Sequence, residues 1–528
     1  MLPSLINLHL SNCELSFNVL PPLSHVNFFR ALETIDLSSS NLTSLIFPGF
    51  FAFNDNLPVF KHINLASNHL EGEIPRTLGD LSSLETLDLS QNYLSGEIPN
   101  MKNSLSIREL YLSGNKLNGS LTTSIGSLSN LEILDVSSNS MVGVISDLHF
   151  LNLSKLWYLD ISSNSFTVDL TPTWVPPFQL ITLKMSSCKL GLQFPQWLHV
   201  QNRISHLDIS NAIISDVISD WFWDLPIKLG YLNLSSNQIS GEVQKLSSVL
   251  GSFPAVDLNS NPFEGSVPLL PVDIRILDLS KNMFSGMISN LCSMAGDKFN
   301  YLDLSDNILS GELPDCWMHW QSLGIINLGN NNFSGTLPAS FGFPPETLHI
   351  RNNRFSGQLP PPLLNCTGLK LGRIDFLEEY QHGNNISGRL PQCMTNFTAM
   401  ALEWSTDDME SGVPGGLADL NFLSRLNLSY NNFSGKIPRS TQLQNFDWGM
   451  LDFVGSRFQK SALEKKMKLK QIIWAEAAKD FGQFVEVYCL TCLLSVLGHG
   501  RKLAICKSQI EHSQTAKNAL NQRHLSIQ

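Results

Sequence analysis

Charge is scarce in this chain, and so are the residue patterns on which chemistry is usually built. Asp, Glu, Lys and Arg make up 15% of the 528 residues, and the formal charge is −11. That balance, without a basic patch interleaved with aromatics, argues against nucleic acid as a partner. The 13 histidines are scattered, and no H-E-x-x-H or other metal-ligand spacing emerges. No nucleophile stands in a pattern with its base. An enzyme, a cofactor and a metal are therefore not expected. Spanning a bilayer takes about 20 apolar residues; the stretch FVEVYCLTCLLSVLG (484–498) is shorter and holds Glu486, so it is not expected to be an ordinary anchor.

What the chain has in abundance is one phrase. LETLDLSQNYLSGEIPN (84–100) places Leu84, Leu87 and Leu89 ahead of Asn92, then Leu94, Gly96, Ile98 and Pro99. Leu87-Asp88-Leu89 alternates as a short strand does, with both leucines on one face. Asn92 then turns the chain, its amide free to donate to and accept from neighbouring backbone. One copy could not bury its leucines, but the phrase recurs. The Asn column runs Asn68, Asn92, Asn115, Asn139, Asn164, Cys188, Ala212, Asn237, Asn261, Asn282, Asn307, Asn331 and Asn353. Cys13 and Ser40 hold the place in two looser copies before it, and Asn384 and Asn431 in two after it. The step of roughly 24 residues is that of a leucine-rich repeat. A length rule would suggest three or four domains, but the repeats overrule it in favour of one solenoid plus a tail. Each repeat should contribute one short parallel strand to the concave face of a curved α/β solenoid, with a continuous leucine core. The Asn ladder should satisfy backbone groups where each coil turns. Ala212 has no side-chain donor, so its coil is expected to be a weak point, and Ala212→Asn to be neutral or stabilising.

The extension LSGEIP (94–99), repeated as FSGTLP (333–338) and FSGKIP (433–438), resembles the plant-specific LxGxIP class of leucine-rich repeat. The stretch NLSYNNFSGKIPRSTQLQNFD (427–447) resembles the last repeat of plant receptor-like proteins, most closely the ethylene-inducing-xylanase receptor type. The resemblance covers roughly residues 1–450. It implies an extracellular ectodomain without a kinase, which binds a peptide, protein or glycan elicitor and signals through partner receptor kinases in defence or development. It also implies the plasma membrane, outer face, as location. A soluble inhibitor of cell-wall-degrading enzymes and a non-functional gene fragment are the alternatives.

The chain departs from that pattern in several places. MLPSLINLHLSNC (1–13) enters mid-repeat with no leader-like n-region or h-region, so Met1 is expected to be an internal methionine of a longer protein. Residues 47–58 should loop out of one coil. The solenoid is expected over 1–368, an irregular segment with one degenerate repeat over 369–416, a terminal repeat over 417–447, and a partly helical or disordered tail over 448–528. In the tail, Asp480-Phe481-Gly482 spells the magnesium-binding triplet of kinases, without the Gly-rich or catalytic loops that a kinase needs. Cys489 and Cys492 form a C-x-x-C in an apolar run, unlike a redox unit.

Candidate sites follow from the repeat geometry. The central outward position is mostly acidic or amide: Asp88, Asp135, Asp160, Asp208, Asn233, Asp257, Asp278, Asp303 and Asn327. Such a column either attracts basic ligand groups or, the reading preferred, bonds along the strands as part of the repeat. Arg108, Tyr111, Trp157, Tyr158, Lys184, His206, Tyr231 and Tyr301 project from flanking columns. Aromatics and Arg are favoured interface anchors, so these residues are the expected ligand strip. The N-x-S/T sequons at Asn41, Asn118, Asn152, Asn233, Asn332, Asn365, Asn385, Asn396, Asn427 and Asn432 are candidate glycosylation sites. Cys292 and Cys316 occupy matching places in adjacent coils and are expected to pair in an oxidising compartment, the alternative being two buried thiols. Cys366 and Cys393 are a second, weaker pair.

Overall fold

Each L-x-L phrase forms a strand, usually of three residues, because the Asn turn follows at once. The computed structural model describes residues 5–13, 31–43 and 59–361 apart from 244, 294–295, 342–346 and 359; beyond these it describes Asn384 and short strand segments as far as 452. Among the described residues, sixteen strands from Asn7–His9 to Arg373–Asp375 stack in chain order as one parallel sheet. Leu87 of Thr86–Asp88 lies opposite Ile63 on one side and Leu110 on the other. All three are at most 1% exposed, while the residues before and after them face away from the core. Parallel neighbours need a crossover. Here the remainder of each coil supplies it, with single 3₁₀ turns such as Arg76–Asp80, Thr123–Ser127 and Gln196–Val200 in place of long helices.

A second set of short parallel strands comes from the L-x-G half of the phrase. Glu71–Glu73, Tyr93–Gly96 and Lys116–Leu117 form one group, and seven strands from Gly241–Glu242 to Asn385–Ser387 form another. Gly96 has φ +78°, and a Cβ there would meet Glu73 Cγ at 2.8 Å. The positive φ calls for glycine, whereas the exposed Glu73 side chain could move aside. The phenylalanines that replace Leu94 in later coils stack instead, Phe263 on Phe284 and Phe333 on Phe355.

The Asn column does what its chemistry allows. Asn92 Oδ1 accepts from the Leu70 N–H at 3.0 Å. Its Nδ2 donates to the carbonyls of Leu65, Leu89 and Ser90 at 2.9–3.1 Å. Each ladder side chain thus ties its own turn to the coil before it. Ser40 closes the early gap with its hydroxyl, donating to Leu10 and Ser38 carbonyls. Cys188 donates weakly from Sγ to the Ile161 carbonyl at 3.4 Å, and burial pushes its thiol up to about 12.

The Ala212 coil has a main-chain substitute for its missing amide. The Leu190 N–H donates to the Ala212 carbonyl itself at 3.2 Å, and the Met185 carbonyl is taken by the Cys188 N–H. Asn237 Oδ1 then accepts from both Ala212 and Ile214 N–H at 3.0 Å. The main chain has replaced the side chain, so an Asn at 212 would compete for groups already paired. The cost appears one residue later. Ile213, β-branched and 49% exposed, sits at φ +60°, where such a residue is strained by about 1–2 kcal/mol. Ile213→Gly is expected to raise stability by about 1 kcal/mol, read as an increase in urea midpoint at unchanged slope.

Past residue 368, where the sequence pattern lapses, the array continues for one more coil. Arg373–Asp375 pairs with Thr347–His349, and Asn385–Ser387 with Arg354–Gln358. Asn384, fully buried, accepts from the Phe355 N–H and donates to the Ile350 carbonyl. Leu426–Asn427 lies between Leu402–Glu403 and Leu451–Asp452 in a separate parallel sheet. Repeat-like strands therefore occur within the stretch read as irregular and just beyond 447. Cys292 and Cys316 are disulfide-bonded, Cα–Cα 5.6 Å. The 47–58 loop, the Cys366/Cys393 pair and the tail motifs at 480–482, 484–498 and 489–492 lie outside the described residues.

Candidate ligand-binding face

The acidic column is used up locally first. Asp160 Oδ1 accepts from the Ser162 N–H at 3.1 Å and from its hydroxyl at 2.5 Å. The same Asp-x-Ser clasp recurs at Asp88, Asp135, Asp208, Asp278 and Asp303. These bonds stay within one coil, which corrects the expectation that they run along the strands. Asn327 does reach its neighbour, donating to Asp303 Oδ2 at 2.9 Å. The column belongs to the repeat, yet its crowding is felt. Burial first, then neighbouring carboxylates, hold Asp88 and Asp257 above the usual range and push Asp278 up to about 6.

The projected strip divides in the structure. Tyr158, His206 and Tyr231 fall in one outward column, interrupted by Thr182, and Lys184 falls in the other. Lys184 Nζ is 3.2 Å from Asp160 Oδ2, 3.4 Å from Tyr158 Oη, and over the Tyr158 ring at 5.6 Å. Burial opposes its charge, but Asp160 and the Tyr158 hydroxyl outweigh it and raise its pKa. His206 stacks on Tyr231 with ring centroids 5.8 Å apart. Burial, followed by Lys184, lowers its pKa, which favours the neutral ring. Trp157 meets Tyr158 edge-on at 6.0 Å. Trp157, Tyr158 and Lys184 thus form one group, and His206 with Tyr231 a second on the next two coils.

The other three stand apart. Tyr111 is two strands before Tyr158, its hydroxyl pushed up to about 12 by burial and then Glu109 and Asp88. Tyr301 is three strands beyond Tyr231, with Oη 3.5 Å from both Asp278 and Asp303. Arg108 lies one residue before its strand and pairs with Glu132 at 2.8 Å.

Sequence reasoning missed the ground beside these groups. Trp157, Pro177, Phe178 and Ile181 wall a cleft of about 570 Å³ at the end of the sheet where strands begin, with Lys155 and Arg203 at its edge. It forms where PTWVPPF (172–178) stands in the place that neighbouring coils give to a 3₁₀ turn, and that replacement was the available signal. Among the candidate glycosylation sites, Asn41, Asn118, Asn152 and Asn332 are exposed. Asn233 is half-buried in the strand face, donating to Tyr231 Oη at 3.3 Å. Asn365, Asn385, Asn396, Asn427 and Asn432 have side chains outside the described residues. Among the described residues, no helix is long and apolar enough to cross a membrane, and no group of three or more His, Cys, Asp or Glu could hold a metal ion.

The leucine rich repeat family matches at residues 30–94, 58–117 and 105–166, and again at 298–320, 322–343, 345–366 and 422–443. With the stacked coils, those matches define the class: the chain is a leucine-rich-repeat protein. Relatives that it resembles are plant receptor-like proteins. It is 40% identical over 183 residues to receptor-like protein EIX2 of Solanum lycopersicum, covering 35% of this chain and 18% of that protein. To receptor-like protein EIX1 of the same plant it is 45% identical over 130 residues, covering 25% and 13%. The matched stretches thus span less than a fifth of those relatives' length. Among solved structures, the ectodomain of the Arabidopsis receptor kinase HAESA, in complex with an N-terminally extended IDA peptide hormone, is similar at TM-score 0.61 and 26% identity, covering 81% of this chain and 71% of that one.

Proposed function

We propose that this chain is an extracellular recognition scaffold that binds a peptide, protein or glycan elicitor on its strand face and signals through partner receptor kinases. The observation that carries the reading is the outward patch made by the Trp157, Tyr158 and Lys184 group and the His206 and Tyr231 pair on neighbouring coils. Half-buried aromatics held by their neighbours lose little side-chain entropy on binding, which makes them efficient anchors. A His206 biased to its neutral form and a Lys184 already paired with Asp160 leave the patch with little net charge, suited to apolar and hydrogen-bonding groups. The relatives support a receptor role and an outer-membrane-face location, and the peptide complex of HAESA supports a peptide as ligand.

The test is binding of an elicitor panel of peptides, proteins and oligosaccharides to the secreted full chain. For any member that binds, Tyr158→Ala with Tyr231→Ala is expected to weaken binding at least tenfold while the melting temperature stays within a few degrees. Undiminished binding by the folded double variant would put the ligand elsewhere.

A further inference from the structure

The cleft beside the patch has its own charge, opposite to that of the strand face. Lys155, Gln179, Arg203 and Lys228 each stand three residues before a strand residue of the outward column, namely Tyr158, Thr182, His206 and Tyr231. Strand spacing near 4.8 Å puts the ends of this row about 14 Å apart. Lys155, Arg203 and Lys228 are exposed, and none is in the ion pairs found among the described residues. Lys155 Nζ donates to the neutral Asn130 at 2.8 Å, and Lys228 Nζ to the Ser248 carbonyl at 3.2 Å. Glu132, the carboxylate lining the cleft, is offset by Arg108, whose Nε and Nη2 both reach its Oε1, at 2.9 and 2.8 Å. In a chain of formal charge −11, this corner holds uncompensated positive charge against an apolar wall.

We infer that the cleft bounded by Trp157, Pro177 and Phe178 is a binding site for an acidic, aromatic- or proline-containing peptide segment, whose carboxylates meet Arg203 and Lys155. This rests on the proposed recognition function and names the ligand chemistry at its flank. The cleft is open to solvent along its length, and its volume of about 570 Å³ holds more than one side chain. Arg presents a fork that matches a carboxylate. An acidic glycan finds few neutral hydrogen-bonding side chains in the lining, namely Ser154, Gln179 and the Trp157 indole. Gln179, the amide in the cleft, has committed both ends: Nε2 donates to the Val200 carbonyl at 2.9 Å, and Oε1 accepts from the Asn202 N–H at 3.1 Å. The segment would enter beside Trp157, which touches both the cleft and Tyr158, so one ligand could occupy cleft and patch together.

The experiment uses the full chain and two end-capped fluorescent peptides, (Glu-Phe-Pro)₄ and (Lys-Phe-Pro)₄, with a linear uronic-acid oligosaccharide as competitor, followed by anisotropy at physiological salt. The acidic peptide is expected to bind and the basic one not. Lys155→Glu with Arg203→Glu, both exposed and outside the patch, should weaken the acidic peptide at least tenfold and admit the basic one. Lys228→Glu, beyond the cleft wall, should change affinity less than threefold. Equal binding of both peptides, no binding of the acidic one, or unchanged affinity in the double variant overturns the inference. So does an oligosaccharide that binds where the acidic peptide does not. If the double variant behaves as expected while Tyr158→Ala with Tyr231→Ala leaves elicitor binding intact, only the strand-face reading falls.

Discussion

Asn237→Ala is expected to destabilise the solenoid by about 3–5 kcal/mol, well beyond what the same change costs at a rung such as Asn92 that serves a single N–H. A typical rung such as Asn92 serves one backbone N–H from the coil before it. Asn237 serves two, those of Ala212 and Ile214, because the preceding coil has no amide of its own. Its Nδ2 also donates to the carbonyls of Ile209, Leu234 and Ser235 at 3.0–3.2 Å. At 3% exposure no water replaces those partners, and each buried group left unpaired costs about 1–3 kcal/mol. Solenoids lose stability coil by coil through neighbouring interfaces, so the damage should be local first. Thermal melts of Asn237→Ala and Asn92→Ala, run side by side, should show the larger fall for Asn237→Ala. Hydrogen exchange should localise it to the amides of Ala212 and Ile214. Equal falls in the two variants would mean that the Ala212 coil does not lean on its successor.

That dependence marks where the sequence could be read and where it could not. Leucine spacing, the Asn column and the LxGxIP glycine carried the strand positions, the buried face and the turn, because each is a side chain with one physical job. Ala212 looked like a missing part, since a pattern of side chains does not register a carbonyl that takes over. Arg373–Asp375 escaped notice because Ile374 and Phe376 stand where the phrase has leucines, although the backbone still pairs with Thr347–His349. The Asp clasp was legible in principle, as Asp followed two residues later by Ser is a local turn pattern, but the column invited a longer-range reading. In the candidate site, strand alternation correctly turned Tyr158, Lys184, His206 and Tyr231 outward. It did not bear on the cleft, whose cations lie ahead of the strands and whose walls come from an irregular coil.

Asp278 turns the same clasp into a pH-dependent liability. It stands in register between Asp257 and Asp303, with Tyr301 Oη 3.5 Å from its Oδ2. Its Oδ1 accepts from the Ser280 N–H at 3.0 Å and hydroxyl at 2.6 Å. Burial, ahead of repulsion from Asp303 and Asp257, still lifts the carboxyl from 3.8 to about 6. Between those values the folded chain keeps a proton that the unfolded chain has lost, so stability falls as pH rises through the window. Above pH 6 the deficit is complete. A two-unit shift corresponds to about 3 kcal/mol at most, and partial solvent screening reduces it to about 1–2 kcal/mol. Asn removes the charge while keeping the carbonyl oxygen that Ser280 needs. The array already uses that solution: Asn64, Asn233 and Asn327 accept the equivalent N–H through Oδ1. Asn327 also donates to Asp303, so an amide at 278 has a precedent for calming the same neighbour from the other side. Asp278→Asn is therefore expected to gain about 1–2 kcal/mol at pH 7.5 and almost nothing at pH 4. Urea midpoints of both proteins at the two pH values read the difference directly. A gain of equal size at both would assign the effect to packing, and no gain at pH 7.5 would mean that the carboxylate column is better solvated than its crowding implies.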